Sequence, residues 1–414
     1  MQDNHSYCKK NYEKNWKSNA ILFLGSQCIS LFGSSLVQYA IMWYITLNTK
    51  SGSMMTVAII CGFLPTFFLS PFAGVWADRY NRKRLIILSD SMIATVTLVM
   101  ALVFLSGKDD IWLLFLMSGI RAIGTAIQTP AIGAILPQIV PVEKLTKVNG
   151  INGTLQSFIM LFSPMASGAL LTFTKLEVIF FIDVFTAAAA IFILYALLRL
   201  PKSEKPVAVT KSSYMSDFKL SLIYIKSHKY LVELFVFFAF FFVLISPAAF
   251  LTPLQVARTF GDEVWRLTAI EITFSIGMML GGLLIAYWGG YKNRIHTMTL
   301  ASLLIGASTL ALGLVPEFSV YLIIMTLTGV LIPIFNTPCT VLLQERVEDE
   351  FLGRVFGVLT MISSAMMPMG MLLFGPLADI IKIEWMLIAT GVLLFIQGFF
   401  LLVSKALIEA GKPQ

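Results

Sequence analysis

Hydrophobic residues occur in long runs along the chain, and short polar segments separate one run from the next. Twelve of the runs reach the roughly 20 apolar residues that a helix needs to cross the hydrocarbon core of a membrane. Glycine and proline inside several runs are compatible with this, because neighbouring membrane helices satisfy the backbone groups that they free. The predicted transmembrane helices cover residues 20–47, 54–77, 85–107, 111–136, 148–174, 178–198, 230–254, 267–290, 297–316, 318–343, 355–381 and 385–404.

The composition also predicts an integral membrane protein. Hydrophobic residues make up 57% of the chain and charged residues only 13%, whereas soluble domains carry roughly 25% charged residues. The polar amino terminus, residues 1–19, has no short apolar core followed by a small-residue cleavage site. We therefore predict that the first hydrophobic run is retained as a span.

The distribution of basic residues orients the chain. Of the 30 Lys and Arg residues, 23 lie in segments on the same side as the amino terminus and six lie on the opposite side. Because basic loops stay in the cytoplasm, both termini are predicted to be cytoplasmic. The net charge of +7 then reflects orientation in the bilayer rather than a nucleic-acid partner.

A basic, proline-containing segment divides the chain near its midpoint. We predict a cytoplasmic linker at residues 199–229, between an amino-terminal six-helix bundle at 1–198 and a carboxy-terminal bundle at 230–414. A weak internal repeat supports this division, since the stretch that begins at Gln128 resembles the one that begins at Asn336, at an offset of 208 residues. Such repeats are typical of transporters whose halves move about a central site.

Residues 74–85, with the sequence GVWADRYNRKRL, concentrate charge in the turn between the second and third runs. The charged residues are Asp78, Arg79, Arg82, Lys83 and Arg84. The basic residues alone are consistent with a turn that fixes the membrane topology by binding anionic lipid headgroups. The acid ends a helix where a cation would suit the dipole better. The alternative is therefore a gate, in which Asp78, Arg79, Arg82 and Lys83 close the cytoplasmic side.

Six charged residues fall within the predicted spans, where each needs a partner or a water-filled cavity. Glu233 and Asp379 lie within a turn of a span end and are expected at the interface. Arg121 lies ten residues into its span, roughly 15 Å deep at the helical rise. A buried carboxyl group takes up and releases a proton as its surroundings change, although each such group also fits a fixed contact between helices. The candidates for proton coupling are Glu271, Asp183, Asp90 and Arg121.

Several uncharged residues are candidates for a substrate cavity. Gln27, Ser30, Ser34 and Gln38 form a polar stripe at helical spacing on the first span, which fits a cavity wall or a packed interface between helices. Phenylalanines of the seventh span fit apolar contact with a substrate or packing toward lipid. The candidate cavity residues are Gln27, Gln38, Gln128, Phe237, Phe241 and Asn336. In the eighth span, Gly277 and Gly281 at GxxxG spacing predict close helix packing.

The charged turn resembles the signature loop of the major facilitator superfamily, with Asn81 at the position where that family has glycine. RAIGTA, from Arg121, resembles the family's fourth-helix motif, in which the arginine is linked to proton transfer. SPMASGAL, from Ser163, resembles a motif of exporting members. The order of these elements resembles bacterial drug–proton antiporters, among them the macrolide-efflux group. The resemblance implies an all-α membrane fold of twelve transmembrane helices in two six-helix bundles around a central cavity.

These observations favour a secondary-active exporter of hydrophobic drugs in the bacterial plasma membrane, which exchanges its substrate for protons. The alternative is a proton-coupled importer of a small nutrient on the same fold. No nucleotide-binding GxxxxGK[ST] motif, catalytic constellation or metal-ligand spacing occurs in the sequence. We therefore expect no enzyme activity, metal or cofactor, and a protein that functions as a monomer. The substrate, the choice of H⁺ or Na⁺ and an ATPase partner stay open.

Overall fold

The computed structural model of the chain describes residues 2–198 and 222–413. The side chains at positions 2–15, 71, 78, 142, 143, 146, 349 and 350 lie outside this description, as does most of the predicted linker. The described chain is helical and contains no strand. In this part of the chain, twelve helices are long and apolar enough to cross a membrane, which confirms the predicted number.

The first group of helices precedes the predicted linker. It consists of α1 (Gln2–Thr49), α2 (Gly52–Arg79), α3 (Arg82–Leu105), α4 (Ile111–Ile139), α5 (Val142–Phe173) and α6 (Leu176–Phe192), and α6 continues into a π-helical turn at Ile193–Leu197.

The second group follows the predicted linker. It consists of α7 (Lys229–Phe250), α8 (Thr252–Thr259), α9 (Val264–Trp288), α10 (Arg294–Leu314), α11 (Phe318–Arg346), α12 (Asp349–Leu377), α13 (Ile383–Val403) and α14 (Lys405–Ala410). The seventh span comprises α7 and α8 and breaks at Leu251, close to Pro247 and Pro253. Pro247 lies inside α7, whereas Pro253 lies in the first turn of α8, where its missing N–H costs no helical hydrogen bond. The chain therefore continues as α8 past the predicted end of this span.

The chain forms two compact units. One contains Met1–Ile45 and Val57–Val209, and the other contains Thr46–Thr56 and Thr210–Gln414. In the first unit, α3 packs against both α4 and α6. In the second, α10 packs against α11 and α13, and α9 packs against α11. The short stretch between α1 and α2 therefore belongs with the second unit, although the helices on either side of it lie mostly in the first.

Glycines allow α9 and α11 to approach closely. A Cβ atom at Gly277 would lie 2.1 Å from the carbonyl oxygen of Thr326, and one at Gly281 would lie 2.1 Å from that of Val330. From the facing helix, a Cβ atom at Gly329 would lie 2.2 Å from the carbonyl oxygen of Phe274. This contact confirms the close packing predicted from the GxxxG spacing.

Polar side chains fix some helix ends. Asn81 is the N-cap of α3, and its side-chain oxygen accepts a hydrogen bond from the Arg84 backbone N–H at 3.1 Å. Asn293 caps α10 in the same way, through Ile295 N–H at 2.9 Å. Capping satisfies backbone groups that the first turn of a helix leaves unpaired. The asparagine that departs from the signature loop therefore has a local structural role.

Candidate functional site

A buried ion pair lies at the centre of the candidate site in the first unit. The guanidinium of Arg121, on α4, donates to Asp183 Oδ2, on α6, at 2.5 Å. Asp183 is completely buried and Arg121 is 9% exposed. The sequence predicted that each charge needs a partner, and the fold brings these two together.

Two more helices complete the network around this pair. The Thr97 hydroxyl, on α3, accepts a hydrogen bond from Arg121 and donates one to Asp183 Oδ2 at 3.1 Å. On α1, the Ser34 hydroxyl donates to Asp183 Oδ1 at 3.3 Å, and the Ser34 carbonyl accepts from Arg121 at 3.4 Å. Four helices therefore meet at one ion pair, which compensates the cost of burying the charges.

A glycine makes room for this arrangement. A Cβ atom at Gly33, on α1, would lie 2.0 Å from the hydroxyl oxygen of Thr186 and 3.1 Å from Asp183 Oδ1. A larger residue at this position would push α6 away from α1. The close approach therefore keeps Asp183 within reach of Ser34.

A second carboxyl group lies on α3. Asp90 is 2% exposed, and its Oδ1 accepts hydrogen bonds from Ser30 at 2.9 Å and from the Gln128 side-chain amide at 2.8 Å. It does not contact Arg121 directly. Its other oxygen, Oδ2, is buried and has no hydrogen-bond partner in the described part of the chain.

A cavity of about 140 Å³ opens beside these groups, between α1, α4 and α5. All four residues of the predicted polar stripe, Gln27, Ser30, Ser34 and Gln38, line it, together with Gln128. The stripe therefore lies on the wall of this cavity, and its role in substrate binding stays a prediction. Asn152 and Gln156, on α5, also line the cavity. Sequence reasoning did not single out these two residues, although polar side chains inside a predicted span were a usable signal.

Thr97 was also missed. It lies seven residues after Asp90 and so on the same face of α3, two helical turns away. That spacing links the two polar positions, but a threonine is common enough in membrane helices that the sequence did not distinguish it. Its contact with both members of the ion pair becomes visible only in the fold.

Glu271 lies in the second unit. It sits in the first third of α9, four residues before the buried Ser275. Among the described residues, no hydrogen bond or ion pair to its carboxyl group is found. A carboxyl group without a partner inside a span is available for protonation, so the structure leaves its predicted coupling role as a proposal.

The remaining cavity candidates lie in the second unit. Phe237 and Phe241, on α7, are 1% and 3% exposed and stack against each other, with ring centroids 5.9 Å apart. Both also contact the ring of Phe335. Asn336, the next residue on α11, has an exposed side chain. The two phenylalanines are thus covered by the core of their unit in this conformation, and their role in substrate binding stays a prediction.

The charged turn forms contacts within the first unit. Arg82 donates to the backbone carbonyls of Ala77 at 3.0 Å and Ala134 at 2.7 Å. Lys83 donates to the carbonyls of Tyr195 at 3.2 Å and Leu198 at 2.7 Å, at the end of the π-helical turn. The carbonyls of Ala77, Tyr195 and Leu198 lie at the carboxyl ends of helices, where the helix dipole favours cations, whereas that of Ala134 lies inside α4. Arg79 has an exposed side chain, and the side chain of Asp78 lies outside the described residues.

Asp379 holds the segment between α1 and α2 within the second unit. It follows the end of α12, so it lies outside the helix rather than inside the predicted span. It accepts hydrogen bonds from the Ser51 hydroxyl at 2.9 Å and from the backbone N–H groups of Gly52 at 2.7 Å and Ser53 at 2.9 Å. Partial burial raises the pKa of Asp379, but the hydrogen bonds from Ser53, Gly52 and Ser51 outweigh this effect and lower the pKa to about 2.

Basic side chains complete the Asp379 cluster. Arg258 lies 3.1 Å from Asp379 Oδ1 and also donates to the carbonyl of Lys50 at 2.5 Å. The Lys50 ammonium in turn forms an exposed ion pair with Asp262 at 2.8 Å. The hydrogen bond and charge of Lys50 lower the pKa of Asp262. The Asp379 carboxylate lies at the amino-terminal end of α2, where the positive end of the helix dipole also stabilises its charge.

Twelve helices in the described part of the chain are long and apolar enough to cross a membrane, which defines a polytopic membrane protein with a buried ion pair beside a polar cavity. The sequence matches the Major Facilitator Superfamily over residues 23–371, so the chain belongs to this superfamily of membrane transporters. The chain is 32% identical over 382 residues to macrolide efflux protein A of Streptococcus pyogenes, and the match covers 92% of this chain and 94% of that protein.

Two further comparisons extend this result. Macrolide efflux protein A of Enterococcus faecalis is 32% identical over 323 residues, which cover 77% of this chain and all of that protein. The crystal structure of a mutant of the nucleoside transporter NupG superposes with a TM-score of 0.70 at 14% identity, covering 94% of this chain and 99% of the other. The last similarity shows that the two proteins share a fold.

Proposed function

We propose that this chain is a secondary-active exporter of hydrophobic or amphipathic drugs, macrolides or molecules like them, and that it exchanges them for protons. The observation that carries the proposal is the 32% identity to macrolide efflux protein A over 92% of the chain. A match of this length includes residues of both units. We place the protein in the bacterial plasma membrane with both termini cytoplasmic, as the basic residues predict.

The polar network of the first unit supports coupling to an ion. Arg121 and Asp183 compensate each other's charge. Asp90 has one carboxyl oxygen without a hydrogen-bond partner among the described residues, and Glu271, in the second unit, has no partner there either. A carrier can use such groups because protonation removes the cost of leaving them ionised in the membrane. We propose Glu271 and Asp90 as proton-binding groups, and Arg121 with Asp183 as the fixed pair that organises the site.

The charged turn supports a gate. Arg82 and Lys83, in the first turn of α3, contact the end of α2, the body of α4 and the end of the π-helical turn after α6, all within the first unit. We propose that Asp78 and Arg79, at the end of α2, complete a latch that opens and closes during transport. The cycle then alternates between a latched and an unlatched state of this turn.

The export proposal is tested by expressing the gene in a bacterium that is sensitive to macrolides and measuring inhibitory concentrations. We expect resistance several-fold above the empty vector for at least one amphipathic drug. A protonophore should remove that difference, because export depends on the proton gradient. Unchanged sensitivity across a broad panel of drugs would contradict drug efflux, and substrate uptake driven by the gradient would support the importer alternative.

The coupling proposal predicts that Glu271→Gln separates drug movement from the proton gradient. The amide keeps the shape of the side chain but cannot bind and release a proton. In proteoliposomes, drug transport by this variant should no longer respond to an imposed pH difference. Glu409→Gln, at an exposed position near the carboxy terminus, is the matched control. Full proton-driven transport by the Glu271 variant would assign coupling to another residue.

A further inference from the structure

The polar side chains that line the cavity of the first unit fall into two groups. The first group donates hydrogen bonds to neighbours within the protein and consists of Ser30, Ser34, Thr125 and Gln128. The second group forms no side-chain hydrogen bond among the described residues and consists of Gln27, Ser35, Gln38, Asn152 and Gln156. The donors of the first group are thus already used within the protein, and the second group is available to a ligand.

Four members of the second group are carboxamides, and these determine which ligand fits. Each carboxamide offers two N–H donors and one carbonyl acceptor, and it carries no charge. No charged residue lines the cavity in the described part of the chain. Because unpaired polar groups inside a membrane span are costly, this wall favours a neutral ligand that both donates and accepts hydrogen bonds at several points.

The carboxamides reach the cavity from two helices. Gln27 and Gln38 lie on α1, and Asn152 and Gln156 lie about one turn apart on α5. Gln27 is only 8% exposed, and its amide nitrogen is buried without a partner among the described residues. Aliphatic side chains also line the cavity, among them Leu31, Ile132 and Ile159. This mixture suits a hydrocarbon ring that carries hydroxyl groups.

The size of the cavity limits what it holds. Its volume of about 140 Å³ is well below the roughly 300–1,000 Å³ of a site for an entire drug-sized ligand. It is close to the roughly 150 Å³ of an engineered protein cavity that binds benzene. One six-membered ring therefore fits, as a substituent of a larger molecule.

We propose that this cavity is a subsite for a neutral glycosyl substituent of the transported molecule, whose hydroxyl groups bond to the carboxamides of α1 and α5. The inference rests on the proposed export function and narrows its substrates to amphipathic molecules with a sugar ring. A hydroxyl group both donates and accepts, so it pairs with either end of a carboxamide. An ammonium group only donates and an ether oxygen only accepts, so each leaves part of the wall unpaired.

Cys28 allows a direct measurement of occupancy, because it also lines the cavity. The full chain with Cys8→Ser, Cys61→Ser and Cys339→Ala retains this thiol alone, and a small methanethiosulfonate reagent reports its accessibility in proteoliposomes. Octyl glucoside is compared, below micelle-forming concentrations, with octylamine and with octyl tetraethylene glycol, which share its alkyl chain but lack the ring. We expect octyl glucoside to slow modification at about tenfold lower concentration than either, as one or two additional hydrogen bonds would give. Equal protection by all three compounds, or preference for the amine, would overturn the proposal.

Variants of α5 test the carboxamides themselves. Asn152→Leu combined with Gln156→Leu removes two carboxamides with little change in size, so the preference for octyl glucoside should disappear. Asn152→Gln combined with Gln156→Asn keeps both carboxamides and should keep the preference. Thr154→Val is the matched control, because Thr154 does not line the cavity and its hydroxyl bonds to the Gly150 carbonyl of its own helix.

Gln38→Leu, on α1, provides an independent test if the leucine variant of α5 does not fold. The position is exposed, so the substitution should leave the size-exclusion profile unchanged and reduce the preference for octyl glucoside. A folded leucine variant of either helix that keeps the full preference would contradict the assignment, as would loss of the preference in Thr154→Val.

Transport of a sugar-bearing drug separates this inference from the export proposal. If the wild type confers no drug resistance but octyl glucoside protects Cys28 selectively, the export proposal fails and the glycosyl subsite stands. If the wild type exports a macrolide with a neutral sugar and the same macrolide after removal of that sugar equally well, export stands and the subsite is overturned. Slower export of only the glycosylated macrolide by the leucine variant of Asn152 and Gln156 supports both.

Discussion

Arg121 shows how one side chain can connect several membrane helices. Its guanidinium reaches Asp183 on α6, Thr97 on α3 and the Ser34 carbonyl on α1. All these acceptors come from the protein, as expected for a charge inside a span, which needs partners there. The side chain is therefore a structural centre of the first unit as well as a candidate functional group.

The ion pair between Arg121 and Asp183 predicts that removing one charge destabilises the protein more than removing both. Arg121→Leu leaves Asp183 buried without its partner and should destabilise the first unit by about 3–5 kcal/mol. Arg121→Leu combined with Asp183→Leu removes both charges and should recover most of that loss. Thermal unfolding of the purified protein measures both effects, and transport assays should find both variants inactive. A double variant no more stable than the single one would show that the loss comes from packing instead.

At the residue scale, the depth of a charged side chain within its span could be predicted from the sequence, but the residue with which it pairs could not. The position of Arg121 within its span follows from counting residues along a helix of known rise. Its partner Asp183 is 62 residues away, and their contact depends on how α4 and α6 are rotated about their axes. Asp90 and Asp183 looked equivalent in the sequence. Only the fold shows that one has a cation beside it and the other does not.

At the scale of elements, α9 provides two adjacent glycines in different surroundings. A Cβ atom at Gly281 would lie 2.1 Å from the Val330 carbonyl oxygen, whereas one at Gly282 would have no atom within 4 Å. We predict that Gly281→Ala destabilises the protein by about 1–3 kcal/mol through overpacking against α11. Gly282→Ala should be neutral or stabilise it by up to about 1 kcal/mol, since alanine favours helix.

Thermal midpoints of the two variants, measured side by side in the same detergent, check this prediction. The two substitutions add the same methyl group to neighbouring positions of one helix, so their difference reports packing alone. Similar midpoints for both variants would mean that α9 and α11 are further apart than the structure places them.

The transmembrane helices were the most predictable part of the structure, because a helix that crosses the lipid must be apolar over its length. All twelve spans were located from their apolar runs. Helix ends were less certain. Asp379 was placed inside the eleventh span, but α12 ends at Leu377. The residues that follow are apolar enough to continue the run, but the helix ends there and Asp379 accepts hydrogen bonds from the amino-terminal end of α2.

At the scale of the whole molecule, Asp379 links stability to pH. Its pKa is about 2 in the folded protein and about 3.9 in an unfolded chain. A lowered folded pKa stabilises the protein above the unfolded value, and this contribution is lost as the pH falls from about 3.9 to about 2. We predict that Asp379→Asn lowers the thermal midpoint at neutral pH and removes this part of the acid sensitivity.

The measurement is the difference in thermal midpoint between wild type and Asp379→Asn, followed from neutral pH to about pH 2. Other carboxyl groups titrate equally in both proteins and cancel in the difference. Glu409→Gln again serves as a control that should match the wild type. A difference that stays constant across the acid range would mean that the carboxylate has an ordinary pKa and that its hydrogen bonds contribute little.

The division of the chain between the two units has a practical consequence for hybrid transporters. A hybrid that joins the first 198 residues of this chain to the later half of a relative would separate Ser51, Gly52 and Ser53 from the carboxylate of Asp379. It would also separate the Lys50 carbonyl from Arg258, which donates to it. The exchange should instead include Thr46–Thr56 with the later half. Eleven residues near the amino terminus thus belong, for the purposes of recombination, to the opposite end of the gene.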